Sequence, residues 1–175
     1  MHDLYELSLA DIGALSYRKQ PLDLRELVTT LANSMQPQFA QAGLALSVRD
    51  GSNAELSVLG DNQRLTQLFA NLLQNSLQYT TSPGQVQVSI RTENRIAVIS
   101  VEDSAPGVEK SVQPRLFERL FRAESSRNRN TGGAGLGLSL CQTIVEAHNG
   151  SIVAADSALG GLAVTVRIPL TQVAP

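Results

Sequence analysis

Residues 71–80 read NLLQNSLQYT, and within that run Asn71, Asn75 and Tyr79 stand four apart. At about 3.6 residues per turn such positions lie one above the next on a single helix face. Leu65, Leu68, Phe69, Leu72, Leu73 and Leu77 mark the adjoining face, so a helix opening after Gly60, with Asp61 as its cap, is predicted to press its leucines onto a core. Two carboxamides and a phenol then line the edge of a buried stripe. An Asn side chain offers a carbonyl oxygen to a hard cation and amide protons to a phosphate. Spacing by fours also recurs in any amphipathic helix, and a solvated or capped polar face would read the same way. The flanking sequence has to decide.

Composition narrows the classes. The 175 residues are 42% hydrophobic and 17% charged with no Trp, a profile of one globular domain with a sizeable core. The net charge of -2 gives no electrostatic ground for nucleic-acid binding. Cys141 is the one cysteine, which excludes an internal disulfide and suits a reducing compartment; its apolar neighbours make it a core residue. The chain shows neither a signal-peptide pattern nor an apolar run of membrane-spanning length, so a soluble piece without direct membrane contact is expected.

Upstream of the central helix, residues 1–17 carry Leu4, Leu7, Ile12 and Leu15 at helical spacing and read as the tail of something longer, stopped by Pro21. A second helix starts at Leu22-Asp23-Leu24-Arg25-Glu26-Leu27, with Asp23 as cap, and runs to Gly43; Pro37 should kink or weaken its last turns. Leu44, Leu46 and Val48 alternate, as do Leu56 and Val58, and Asp50-Gly51-Ser52-Asn53 between them suggests a hairpin.

Downstream, Val86, Val88 and Ile90, then Ile96, Val98 and Val101, predict two long antiparallel strands, the second running into Glu102-Asp103-Ser104-Ala105-Pro106-Gly107. A carboxylate at such a strand end sits where ligands are commonly held. A short helical segment is expected over 113–122, then a polar, mobile run over 123–131. Gly132-Gly133-Ala134-Gly135-Leu136-Gly137-Leu138 opens a helix that stops at His148-Asn149-Gly150, with His148 as a C-terminal cap, and two strands around 152–155 and 162–168 follow. Helices interleaved with strand pairs in this order predict a mixed sheet covered on one face by helices.

Glycines leading into a helix N-terminus make a phosphate site, since free amides and the helix dipole both favour negative charge. The two common phosphate-loop patterns do not fit: Leu138-Ser139 replaces the Lys-Ser/Thr of a Walker loop, and no strand precedes the glycines as a dinucleotide fold requires.

Four elements in this order resemble the catalytic and ATP-binding domain of sensor histidine kinases, of the GHKL or Bergerat ATPase fold, over nearly the whole chain from Pro21 onward. RLTQLFANLLQNSLQYT is similar to the N box of that family, VEDSAPGV to its G1 box, LFERLFR to its F box and GGAGLGLSL to its G2 box. The run from LFERLFRAE to IVEAHNG looks most like a branch of bacterial envelope-stress sensors. The resemblance implies an α+β, two-layer sandwich with a mostly antiparallel mixed sheet. It divides the chain into 1–20 as the tail of a dimerisation and phosphoacceptor helix, 21–170 as the ATP-binding domain and 171–175 as a tail.

The resemblance also assigns roles. Asn75 would coordinate Mg²⁺ bridging the phosphates of ATP, Asn71 would hold the phosphates or the metal's waters, and Tyr79 would pack near base and sugar. Asp103 would accept a hydrogen bond from the adenine amino group, and Gly107 would let the chain pass close to the purine. Phe117 and Phe121 would anchor a lid, Arg122 would approach the terminal phosphate, and Gly133, Gly135 and Gly137 would wrap the phosphates, with Leu136 and Leu138 packing within that motif. Asn71 and Arg122 are thereby the catalytic candidates. The chain departs from the pattern at Gln78, where a basic residue is usual near the phosphates, and at Ala105, where a glycine is usual, so that Ala105 must avoid positive φ.

By the same resemblance the γ-phosphate goes to a histidine on a phosphoacceptor domain outside this chain. His2 lacks the acceptor context, so the chain is expected not to phosphorylate itself. The partners implied are that domain, a response regulator and a second copy of a parent protein held in the bacterial inner membrane, this domain being cytoplasmic. The alternatives are a nucleotide-binding regulatory module without transfer, or an ATP-hydrolysing relative. Hydrolysing relatives carry a Glu where Asn71 stands, and an amide is no general base.

Overall fold

The computed structural model describes residues 15–119 and 137–171, together with Tyr5 and Phe121. Among these residues seven strands and three helices follow in order: β1 (Gln20–Asp23), α1 (Leu24–Gln41), β2 (Leu44–Asp50), β3 (Ser57–Gly60), α2 (Asn62–Tyr79), β4 (Gly84–Glu93), β5 (Ile96–Ser104), a 3₁₀ turn (Gln113–Phe117), α3 (Gly137–Ala147), β6 (Ser151–Asp156) and β7 (Gly160–Pro169). Five strands form one sheet in the order β2-β4-β5-β7-β6, and β1 pairs with β3 in a separate two-stranded sheet. The β2–β4 pair is parallel and the other pairs of the large sheet are antiparallel. This is the expected α+β arrangement of helices on a mixed sheet.

Alternation decides which strand residues meet the helices. Leu44 and Leu46, Val86, Val88 and Ile90, Ala97, Ile99 and Val101, and Val164, Val166 and Ile168 point to one side, where they join the buried residues of the helices in a single core. Phe39 and Phe69 are among the largest side chains enclosed there. Each such side chain removed from water contributes about 1.5–3 kcal/mol. No helix among the described residues is long and apolar enough to cross a membrane.

The caps hold as expected. The Asp23 side chain accepts from the amides of Arg25 and Glu26 at the start of α1, and Asp61 accepts from the amide of Arg64 at the start of α2. Gly43, at φ +72, follows the C-cap of α1. Helix α1 continues past Pro37 to Gln41.

Two expectations are corrected. The stretch 44–58 is no hairpin: β2 pairs with β4, Leu44 opposite Gly84, while β3 pairs with β1, Leu22 opposite Val58. The turn residues do end β2, with the Gly51 amide donating to the Ile90 carbonyl at 2.9 Å, but the chain then passes buried Leu56 into the small sheet. Residues 15–19 are not helical, and Pro21 lies within β1. In a two-stranded sheet a proline's missing N–H can face outward at no cost in pairing. Other residues of the predicted N-terminal helix, Tyr5 apart, lie outside the described residues, as does the run 123–131.

This N-terminal segment is fastened at three points. The Arg18 amide donates to Asp61 Oδ2 at 2.6 Å, Lys19 Nζ donates to the Ala147 carbonyl at 2.5 Å, and the Tyr17 ring meets the His148 ring edge-on at 5.7 Å. It is thus held against the first turn of α2 and the last of α3.

Candidate functional site

Helix α2 buries Leu65, Leu68, Phe69, Leu72, Leu73 and Ser76, and the neighbouring stripe carries Asn71, Asn75 and Tyr79 as anticipated. Asn71 and Asn75 are half-buried, while Tyr79 and Gln78, on the last turn, are exposed. Ser76, next to Asn75, turns inward and its Oγ donates to Asp103 Oδ2 at 3.1 Å. Asp103 lies near the end of β5, and its Oδ1 accepts from the Leu162 amide of β7 at 2.8 Å. The carboxyl group is thereby suspended between α2 and β7, only 9% exposed. Burial raises its pKa above the ordinary carboxylate value, and the bonds from Leu162 and Ser76 only partly offset that rise.

Beyond Asp103 the chain turns at Ala105-Pro106-Gly107. Ala105 does avoid positive φ, which falls instead on Gly107 at +71. A Cβ on Gly107 would stand 3.0–3.1 Å from the Gly161 backbone, so this glycine is required by the chain's own packing. A Cβ on Gly161 would run into Asp103 itself. The Thr81 amide donates to the Ala105 carbonyl at 3.2 Å, joining the end of α2 to the turn. Beside that junction Thr80 Oγ1 is buried without a hydrogen-bond partner among the described residues.

The 3₁₀ turn packs against α3 and β6. Gln113, itself buried, donates to the Val108 carbonyl at 3.2 Å and to Asp156 Oδ1 at 2.7 Å. Phe117 joins the core, and the Phe121 ring lies under the Arg115 guanidinium, 4.4 Å from carbon to ring centre.

Helix α3 spans Gly137–Ala147, and an added Cβ on Gly137 would meet nothing within 4 Å among the described residues. Leu138 packs against the core, and Cys141, one turn on from Gly137, is fully buried with its Sγ 3.6 Å from the Leu68 carbonyl. Burial pushes the Cys141 thiol up to about 12, and a hydrogen bond from the Asn71 side chain pulls the other way. Arg122, Gly133, Gly135 and Leu136 lie outside the described residues.

The structure joins α2 to Asp103 through Ser76, the residue after Asn75, sets Gly107 against Gly161, and packs α2 against α3. Ser76, Gly161 and Gln113 were not anticipated. Ser76 did carry a signal, as a hydroxyl in line with Leu65, Leu68, Leu72 and Leu73; Gly161 and Gln113 acquire their roles only from strands and turns distant in sequence.

A family model described as histidine kinase-, DNA gyrase B-, and HSP90-like ATPase matches residues 60–172. The chain belongs to this ATPase family. Among curated relatives, the ATPase domain is 48% identical over 172 residues to the signal transduction histidine-protein kinase BaeS of Escherichia coli K12, spanning 97% of this chain and 36% of that protein. The chain thus spans about a third of that relative. Among solved structures, the catalytic domain of histidine kinase ThkA aligns with a TM-score of 0.76 at 24% identity, covering 87% of this chain and 95% of that one. ThkA in complex with the response regulator protein TrrA aligns at 0.75 and 20% identity, covering 97% and 49%. Full-length ShkA in complex with AMPPNP aligns at 0.83 and 24% identity, covering 99% and 36%. At these identities the solved structures establish the shared fold. The ATPase domain is of the kind found in sensor histidine kinases, and its named relatives are histidine kinases.

Proposed function

We propose that this domain binds Mg-ATP and presents the γ-phosphate to a histidine on the phosphoacceptor domain of its parent kinase. The observation that carries the reading is the Asp103 carboxyl, buried but fixed by two donors, beside the helix turn that bears Asn75. A buried carboxylate with lone pairs to spare is suited to the amino group of adenine, a donor that a 6-oxopurine lacks.

The other residues supply positioning. Asn75 offers one hard oxygen, which suits Mg²⁺, a metal that takes one or two protein oxygens and fills its remaining positions with phosphates and water. Bound there, the metal would neutralise charge on the phosphate oxygens. Asn71 can donate to a phosphate but cannot take a proton from water, which favours transfer over hydrolysis. Tyr79 would cover base and sugar, and Gly107 would border the purine. Phe117 and Phe121 would anchor a lid from which Arg122 would approach the terminal phosphate. Gly133, Gly135 and Gly137 would wrap the phosphates, with Leu136 and Leu138 as packing residues of that motif.

The acceptor histidine belongs to another domain, so the isolated chain would not label itself. A response regulator would receive the phosphoryl group from a dimeric parent in the inner membrane. ThkA, solved with TrrA, is a relative in fold for which such a partner is recorded.

Calorimetry with ATP, with and without Mg²⁺, on the wild type and Asn75→Ala tests the binding step. Metal-dependent binding lost in the variant supports it; absence of binding to the wild type overturns it. Labelled ATP supplied with the phosphoacceptor domain tests transfer, and steady phosphate release without label on that domain would refute it. A second reading, a regulatory nucleotide module without transfer, is favoured by neutral Gln78 and by Ala105, and predicts binding indifferent to Mg²⁺.

A further inference from the structure

Of the six buried residues of α2, five are Leu or Phe and the sixth is Ser76. A hydroxyl in that stripe must be paired or it destabilises the helix's packing. Its partner is Asp103 Oδ2, while the Leu162 amide takes Oδ1. Two donors from different elements, one on each oxygen, fix both the plane and the rotation of the carboxyl group. Each oxygen keeps lone-pair capacity for a further donor.

We propose that Ser76 is a positioning residue for base selection, holding the Asp103 carboxylate in the orientation that accepts the exocyclic amino group of a 6-aminopurine. This rests on Asp103 being the residue that reads the base. Without the Ser76 hydroxyl, Oδ2 loses its donor and the group can swing about the bond to Leu162. The same loss favours the protonated acid, because burial already raises the pKa and Ser76 is one of the two bonds that lower it. A protonated carboxyl can donate to the oxygen of a 6-oxopurine, and a rotated carboxylate is misaimed for the 6-amino group, so discrimination between the two bases would fall.

The test measures binding of Mg-ATP and Mg-ITP to the whole chain between pH 5.5 and 8.5, for the wild type, Ser76→Ala, Ser76→Thr and Asp103→Asn. Ser76→Ala is expected to reduce the preference for ATP over ITP by about tenfold, the range set by one hydrogen bond to a charged group. It should also move the acid limb of ATP binding to higher pH, and Ser76→Thr, which restores a hydroxyl, should recover both. Equal weakening of ATP and ITP in Ser76→Ala, or an unchanged ratio, would overturn the proposal while Asp103→Asn still abolishes the preference. If Asp103→Asn leaves the preference intact, the reading of Asp103 itself fails and Ser76 falls with it. Should Ser76→Ala not fold, Ser76→Cys keeps the volume with a weak donor and carries the same outcomes.

Discussion

His148 Nε2 accepts a hydrogen bond from the Asp61 backbone amide at 3.0 Å, locking the end of α3 to the cap of α2. The ring's Nδ1 donates to the Ile144 carbonyl at 2.7 Å, so both nitrogens are committed to the neutral form. Burial, helped by the Lys19 charge, holds the imidazole below its ordinary value against the Ile144 bond and the Asp61 carboxylate. The folded state therefore binds fewer protons than the unfolded one. The resulting stability is complete above about 6.5 and is lost as pH falls from there through the depressed folded pKa. Asp103, with a raised pKa, acts in the opposite sense: stability rises as pH falls through its folded pKa. Urea unfolding of the wild type and His148→Gln at pH 8 to pH 5 cancels that shared contribution. The variant should lose about 1–2 kcal/mol at pH 8 and show a shallower decline.

Cys141 should be inert in the native state. It is fully buried with its thiol pushed to about 12, so reaction with a disulfide reagent at pH 8 requires opening of the fold. The modification rate should follow the unfolded population as urea is raised. Fast labelling in the absence of urea would contradict the packing of α3 on α2.

Two glycines near the site should respond in opposite ways. Gly137→Ala meets no neighbour within 4 Å among the described residues, so stability should stay within about 0.5 kcal/mol of the wild type or rise, while nucleotide binding weakens at least about tenfold if phosphates lie against that backbone. Gly161→Ala places a Cβ on Asp103 and should lose both stability and binding. Thermal unfolding and calorimetry on the pair separate a ligand contact from a packing contact.

Asp61→Ala removes a helix cap and also the acceptor of the Arg18 amide. A cap alone is worth about 1 kcal/mol, and a loss near 2 kcal/mol in urea unfolding is expected because two donors are orphaned. Burial opposes the charge on Asp61, but the amide bonds from Arg64 and Arg18 outweigh it and leave the pKa below the usual 3.8. Its contribution should therefore persist at pH 4 and disappear only in stronger acid.

Much of the fold was legible because local rules and tertiary structure agree. The leucines of α2, the Asp23 and Asp61 caps and the alternation of β4 and β5 each name their own element and face. Alternation says which side of a strand is buried, not which strand lies beside it, so the pairing of Leu44–Val48 with β4 is not legible from it. Pro21 reads as a stop because a proline's missing N–H is local, whereas its tolerance in a two-stranded sheet depends on β3. At the site, Asn71, Asn75 and Asp103 stood out as polar residues at telling positions. The bonds that hold Asp103, from Ser76 and Leu162, join elements far apart in the chain.

The parallel pairing of β2 with β4 sets when the site can form. Leu44 meets Gly84, and everything between them, including all of α2, is the loop that this contact closes. Closing such a loop takes its entropic toll before the pairing returns any energy, which slows folding in topologies of this kind. Helix α2 can coil early, but Ser76 reaches Asp103 only once the strands on both sides are in register. The Asn-bearing helix thus has no folding unit of its own, and a cut anywhere between residues 44 and 84 should abolish the site together with the domain.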